Sequence, residues 1–252
     1  MNKFIDTHCH IFKEYYDDIP FLMKSISDNA SFVINNAVNY ETIDEVINLS
    51  NNYSNMYCAI GIHPEYTDYF NGDLSIISKH IHDTKVIAIG EIGLDYHYEG
   101  YKKEKQIDLL TKQLDLAEEF NMPVIIHSRD ASSDMISILK KYHLKGIIHS
   151  FSGSYETAME YIKLGYYLGI NGVVTFKNCK LIEVIKRIGL EHFVLETDSP
   201  YLTPAPDRGK TNNPNHIKDI ITFLSENLNY TYDEIVDITN ANAMHIFDKL
   251  NK

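Results

Sequence analysis

Short runs of apolar, largely β-branched residues alternate along the chain with stretches whose apolar positions recur at helical spacing. The eight runs are Lys3–His8, Ser31–Asn35, Tyr57–Ile62, Lys85–Glu91, Pro123–His127, Gly146–His149, Tyr166–Ile170 and Phe193–Thr197. Continuous apolar runs flanked by helices predict parallel strands covered on both faces. Helices are expected at Glu41–Ser50, which carries Ile43, Val46, Ile47 and Leu49, and at Tyr101–Phe120, which carries Ile107, Leu110, Leu114 and Ala117. Asp130–Lys141 places Met135, Ile138 and Leu139 on one face, and Pro214–Leu228 and Tyr232–Leu250 close the chain as helices. Such stripes are most simply core packing. Eight units of this kind predict an α/β chain folded as a TIM-type (β/α)8 barrel. The absence of a linker or short repeat makes 1–252 a single domain.

The polar residues add chemistry to this frame. Six of the eight runs end in a metal-ligand or similarly reactive type: His8-Cys9-His10, His63-Pro64-Glu65, Glu91, His127, His149 and Asp198. All strand C-termini of a barrel open on one face, and that face carries the active site. His8 and His10 are two apart, so they share one side of a strand, with Cys9 on the other as a packing residue. Alone, the pair is a weak signal, and a polar strand end in water is the plainer reading. Glu91 closes an apolar run, which is costly unless the carboxylate is paired or metal-bound; Gly93 and Asp95 after it leave a solvated loop open. His127 or His149 alone would be a satisfied core histidine, and Asp198 before Ser199-Pro200 would be a turn residue. Together they form a nitrogen and oxygen donor set without thiolate, which suits Zn, Mn or Mg. Six such donors suit two divalent ions better than one. The chemistry of such a site is hydrolysis, with Asp198 placed both to bind an ion and to take a proton from water.

Composition bounds the rest. The chain has 252 residues, 44% apolar and 23% charged, as in an ordinary globular protein. No apolar run approaches the roughly 18 residues of a membrane span. The N-terminus lacks the apolar stretch of a signal peptide, and the three scattered cysteines, Cys9, Cys58 and Cys179, fit a reducing cytoplasm. The net charge of −12 weighs against loose binding of polyanions. A nucleic-acid substrate would need a local cationic patch, or bound cations that reverse the sign inside the site. Arg129 sits two residues past His127, Arg208 and Lys210 follow the last strand, and Ser150, Ser152 and Gly153 follow His149. Loops of this kind bind phosphate in many barrels. Solvated loops, or an ion pair between Arg129 and Asp130, are the plainer alternatives. Of the remaining histidines, His97 is the one expected nearest the site.

These residues resemble the TatD family of metal-dependent deoxyribonucleases. The resemblance is carried by Ile5-Asp6-Thr7-His8-Cys9-His10, Gly61-Ile62-His63-Pro64, Ala88-Ile89-Gly90-Glu91-Ile92-Gly93-Leu94-Asp95-Tyr96, Pro123-Val124-Ile125-Ile126-His127-Ser128-Arg129, His149-Ser150-Phe151-Ser152-Gly153 and Leu195-Glu196-Thr197-Asp198-Ser199-Pro200-Tyr201-Leu202. It implies a metallo-dependent hydrolase barrel that cuts DNA phosphodiesters in the cytoplasm. It implies divalent ions held by His8, His10, Glu91, His127, His149 and Asp198, with Glu91 bridging the two. His63 and Glu65 would lie near the site or hold a further ion. Relatives often continue Arg-Asn-Glu-Pro after the Arg-Gly-Lys segment; this chain reads Thr211-Asn212-Asn213-Pro214, with less charge for strand contacts. Some TatD-like proteins are credited with other hydrolyses, including removal of D-amino acids from tRNA. The alternative is therefore an amidohydrolase-like enzyme acting on a small amide, ester or aminoacyl substrate. A non-enzymatic scaffold would leave the shared placement of six donor types unexplained. No obligate protein partner is expected.

Overall fold

The computed structural model describes residues 2–251. Eight strands form one parallel sheet: β1 (Phe4–Cys9), β2 (Ala30–Asn36), β3 (Met56–Ile60), β4 (Val86–Asp95), β5 (Val124–Arg129), β6 (Gly146–Ile148), β7 (Tyr166–Ile170) and β8 (Phe193–Leu195). Each pairs with the next in chain order. Closure of the barrel falls between β1 and β8. A parallel bridge joins Cys9 to Ser199, Asp198 N donates to His8 O at 2.9 Å and His10 N to Ser199 O at 2.7 Å. Thr7 Oγ1 adds a bond to Leu195 O at 3.0 Å.

The helices that fill the connections are α1 (Ile19–Ser27), α2 (Tyr40–Asn52), α3 (Ser75–His80), α4 (Lys103–Glu119), α5 (Ser132–Leu139), α6 (Tyr155–Lys163) and α7 (Leu181–Ile188), followed by α8 (Ile217–Asn227) and α9 (Tyr232–Ile246). Local chemistry fixes several starts. Asn39 with Thr42, and Thr231 with Glu234, close reciprocal capping boxes on α2 and α9. None of the helices among the described residues is long and apolar enough to cross a membrane.

Period-two alternation sorts the strands into two buried layers. Phe4, Val33, Ile60, Val86, Val124, Ile126, Ile148, Leu168 and Phe193 face outward, where the helices cover them. Ile5, Ile34, Ala59, Ile87, Ile125, Ile147 and Val194 face inward and fill the barrel. Ala243 and Ile246 of α9, with Phe247 and Leu250 beyond it, pack on the same inner cluster.

The barrel and its eight strands match the expectation from sequence, and the differences lie at the ends. β4 runs on to Asp95 instead of stopping at Glu91, because Ile92 through Asp95 pair with Ile126 through Arg129. β8 stops at Leu195, and Thr197 instead donates its hydroxyl to Asp6 Oδ2 at 2.6 Å. The helix expected from Pro214 begins at Ile217, after a 3-10 turn at Pro214–His216, and α9 ends at Ile246 rather than Leu250. Four helices were not expected: α1, α3, α6 and α7. They have 6 to 9 residues, so the apolar stripe barely repeats; α5, with 8, was legible through Met135, Ile138 and Leu139 on one face.

Candidate metal centre

The inward rows of the strands change character as they rise. Ile125 is followed two residues on by His127, Ile147 by His149, and Val194 by Glu196 and Asp198. The period that fills the barrel with aliphatic side chains therefore lifts nitrogen and oxygen donors onto its C-terminal rim. Glu91 belongs to the same row of β4, two positions before Gly93 and four before Asp95.

The donors meet in two groups that share Glu91. In the first, His8 Nε2 and His10 Nε2 lie 3.1 Å apart. Glu91 Oε2 is 3.3 Å from His8 Nε2 and 3.5 Å from His10 Nε2, and Asp198 Oδ1 is 3.6 and 3.5 Å from the same two atoms. In the second, Glu91 Oε1 lies 2.9 Å from His127 Nδ1 and 2.8 Å from His149 Nε2, which are 3.1 Å from each other. His63 Nε2 approaches the same oxygen at 3.4 Å. Each Glu91 oxygen thus faces a different set of imidazoles, and the three groupings His8–His10–Asp198, His8–Glu91–His149 and His63–Glu91–His127 could each hold a metal ion.

The residues fit such an ion on their own geometry. Bonds of about 2.1 Å in a tetrahedron set ligand atoms about 3.4 Å apart, and the first group spans 3.1 to 3.6 Å. The outer ring nitrogen of His10 faces Asn36 O at 2.9 Å, so it carries the proton and leaves Nε2 with its lone pair for the centre. Glu91 and His8 are sealed from water, where a crowd of lone pairs is costly unless a cation sits among them.

The electrostatics follow from this crowding. Burial pushes the Glu91 carboxyl up, but the His149, His63 and His8 imidazoles outweigh it and hold it well below the usual carboxylate range. Burial and the neighbouring His149 lower His8. His149 is raised well above the ordinary imidazole value, against its burial, chiefly by Glu91. Asp198 is lowered, again against burial, by His10 and His149. Below the rim, burial pushes Asp6 up to about 8, although it accepts from Thr197 Oγ1 and from the amides of His8 and Thr197.

All six expected donors are therefore brought together, with His63 beside them. Glu65 is exposed, and its carboxylate lies 3.8 Å from the far nitrogen of His63. Cys9 packs in the outer layer as expected. Arg129 is exposed and lies over the Tyr98 ring, with Nη1 donating to Tyr98 Oη at 3.3 Å. Asp130 pairs with His97 at 2.9 Å rather than with Arg129. Arg208 lies over the Phe176 ring, Lys210 is bound to Asp207 at 2.6 Å, and Ser152 is exposed to solvent. Two acidic residues beside the centre lie outside the expected donor set. Asp95 Oδ2 lies 3.1 Å from His127 Nε2, and Glu196 Oε1 is 3.7 Å from His149 Nδ1, an ion-pair distance too long for a hydrogen bond. The sequence carries a signal for both: Asp95 is four residues from Glu91 within β4, and Glu196 is two past the inward-facing Val194, so period two puts each on the donor face.

Comparisons with known proteins place the chain in a family. The profile of the family described as TatD related DNase matches residues 5–248. The chain belongs to the TatD-related DNase family. It is 39% identical over 249 residues to the uncharacterized metal-dependent hydrolase YabD of Bacillus subtilis, covering 96% of this chain and 98% of that one. The crystal structure of the TatD homologue YjjV from Escherichia coli superposes with a TM-score of 0.88 at 30% identity, over 97% of this chain and 98% of that one. A TatD-family hydrolase of Entamoeba histolytica shares the fold with a TM-score of 0.86 at 23% identity, over 97% of this chain and 98% of that one.

Proposed function

We propose that this TatD-family protein is a metal-dependent deoxyribonuclease that hydrolyses DNA phosphodiester bonds with two divalent ions, Zn, Mg or Mn, at the barrel rim. The observation that carries the proposal is Glu91, whose two oxygens face two separate imidazole groups. In this reading His8, His10, Asp198 and Glu91 would hold one ion, and Glu91, His127 and His149 would hold the other. When bound, the ions lower the pKa of water and stabilise the charge that develops on a phosphoryl oxygen.

The remaining steps belong to the chain's own side chains. Glu91 is 4% exposed at its side chain and Asp198 is 15% exposed, so Asp198 is the donor carboxylate that an incoming water can reach. It accepts the proton of the attacking water. Arg129 and Arg208 make no ion pair among the described residues, and each rests on an aromatic ring. Both guanidinium groups are free to bind phosphate oxygens in pairs. Lys210 contributes after release from Asp207, and Ser152 offers a hydroxyl beside the rim. The free cysteines Cys9, Cys58 and Cys179 support a cytoplasmic setting.

The test is an end-labelled oligonucleotide incubated with chelator-stripped protein and with protein reloaded with Mg, Mn or Zn. Reloaded wild type shortens the oligonucleotide, and chelator abolishes cleavage. His127→Ala lowers the rate by more than about 100-fold, since a direct donor counts for more than the groups behind it. Intact DNA under every loading, together with hydrolysis of small amides, esters or aminoacyl compounds, would replace this proposal with the amidohydrolase-like one.

A further inference from the structure

The two donor groups are backed by different chemistry. Behind the first group, His10 Nδ1 meets a neutral carbonyl, Asn36 O, and His8 Nδ1 has no hydrogen-bond partner. Behind the second, both imidazoles face a carboxylate: Asp95 at 3.1 Å for His127 and Glu196 at 3.7 Å for His149.

Both carboxylates are built into place. Gln106 grips the Asp95 main chain from both sides, accepting from its N at 2.9 Å and donating to its O at 2.8 Å. Asp95 Oδ1 also accepts from His97 N at 2.8 Å. Glu196 is fully buried. Its Oε1 accepts from Asn171 Nδ2 at 3.2 Å and from Ser150 N at 2.6 Å, where a left-handed φ of 49° at Ser150 accompanies that contact. Its Oε2 has no hydrogen-bond partner. The space it fills exists because the inward position of β7 is Gly169: a Cβ there would lie 2.3 Å from Glu196 Oε2.

A carboxylate sealed from water with one oxygen unsatisfied needs a positive charge close by. Among the described residues the ion-pair partner of Glu196 is His149. The distribution of charge explains the need. The first group contains a carboxylate of its own, Asp198, whereas the second has only its share of Glu91. Carboxylates behind the imidazoles supply the second group with the negative charge its contact atoms lack, and they fix its ring orientations.

We infer that Asp95 and Glu196 are positioning residues that serve one of the two ions only, the one held by Glu91, His127 and His149. The inference rests on the two-ion reading of the centre. Mn2+ alone, titrated calorimetrically into chelator-stripped full-length protein, tests it. Wild type gives two binding steps. Asp95→Asn and Glu196→Gln each leave one step within about threefold of wild type and weaken the other by about 10- to 100-fold. Asp198→Asn marks the first ion. Combined with Asp95→Asn it weakens both steps if the two carboxylates serve different ions, and leaves one step at wild-type strength if they serve the same.

A merely structural role would weaken both steps together, so equal weakening overturns the inference, as does no change. A double variant that keeps one full-strength step overturns it too. If Glu196→Gln does not fold, Asp95→Asn and its double variant decide. A wild type with fewer than two steps refutes the two-ion reading itself, whereas two wild-type steps with unaffected variants refute only the roles of Asp95 and Glu196.

Discussion

Asp6 lies sealed between β1 and β8, one residue from the inner core and two from His8. Its raised carboxyl, at about 8 against an ordinary 3.8, means that the folded protein keeps a proton the unfolded chain gives up near pH 4. The native state then binds more protons across that window, so stability falls as pH rises from about 4 to about 8. Denaturant unfolding of the chelator-stripped protein at several pH values should show this slope, and Asp6→Asn should flatten it. Equal slopes for both proteins would contradict the assignment. The residue scale is also where legibility was uneven. His8, His10, Glu91, His127, His149 and Asp198 stand out in the sequence because histidine or carboxylate closing an apolar run is unusual. Asp95 comes four residues after Glu91, beyond the apolar run, and Glu196 lies next to Thr197 and Asp198, so their types alone do not mark them. The full length of β4 and the inward row that continues past Val194 of β8 place them behind the imidazoles.

At the scale of elements, the pairing of β4 with β5 sets the spacing between Glu91 and His127. Gly93 makes this approach possible: a Cβ there would stand 2.0 Å from His127 O. Gly93→Ala must push the two strands apart or bend one of them, at roughly 1–3 kcal/mol. A lower melting temperature together with weaker Mn2+ binding is expected, and a variant with wild-type values of both would contradict this role. Strand order and long helices were readable because their periodicity persists over many residues. α1, α3, α6 and α7 were not, because helices of 6 to 9 residues depend on the packing surface the sheet provides rather than on a repeating stripe. The end of β4 was missed for a related reason: pairing with β5 carries it past the polar Glu91.

At the scale of the molecule, the barrel is a sealed column with chemistry at one end and α9 packed on its inner core. Phe247 is 1% exposed on that core. Phe247→Ala should cost about 3–5 kcal/mol in denaturant unfolding, and a loss under about 1 kcal/mol would mean the contact is not part of the core. The whole-molecule charge of −12 bears on substrate binding. With Arg129, Arg208 and Lys210 as the proposed phosphate-binding cations, about three phosphate contacts are expected. For single-stranded DNA that gives a shallow log–log salt slope near −2.1. A slope several times steeper would point to a basic surface elsewhere.

The most direct measurement is anomalous scattering from crystals of the wild-type protein grown with Mn2+. Two peaks are expected about 3.5–4 Å apart, one among His8, His10 and Asp198, the other between His127 and His149, with Glu91 between them. A single peak, or peaks away from Glu91, would contradict the paired centre.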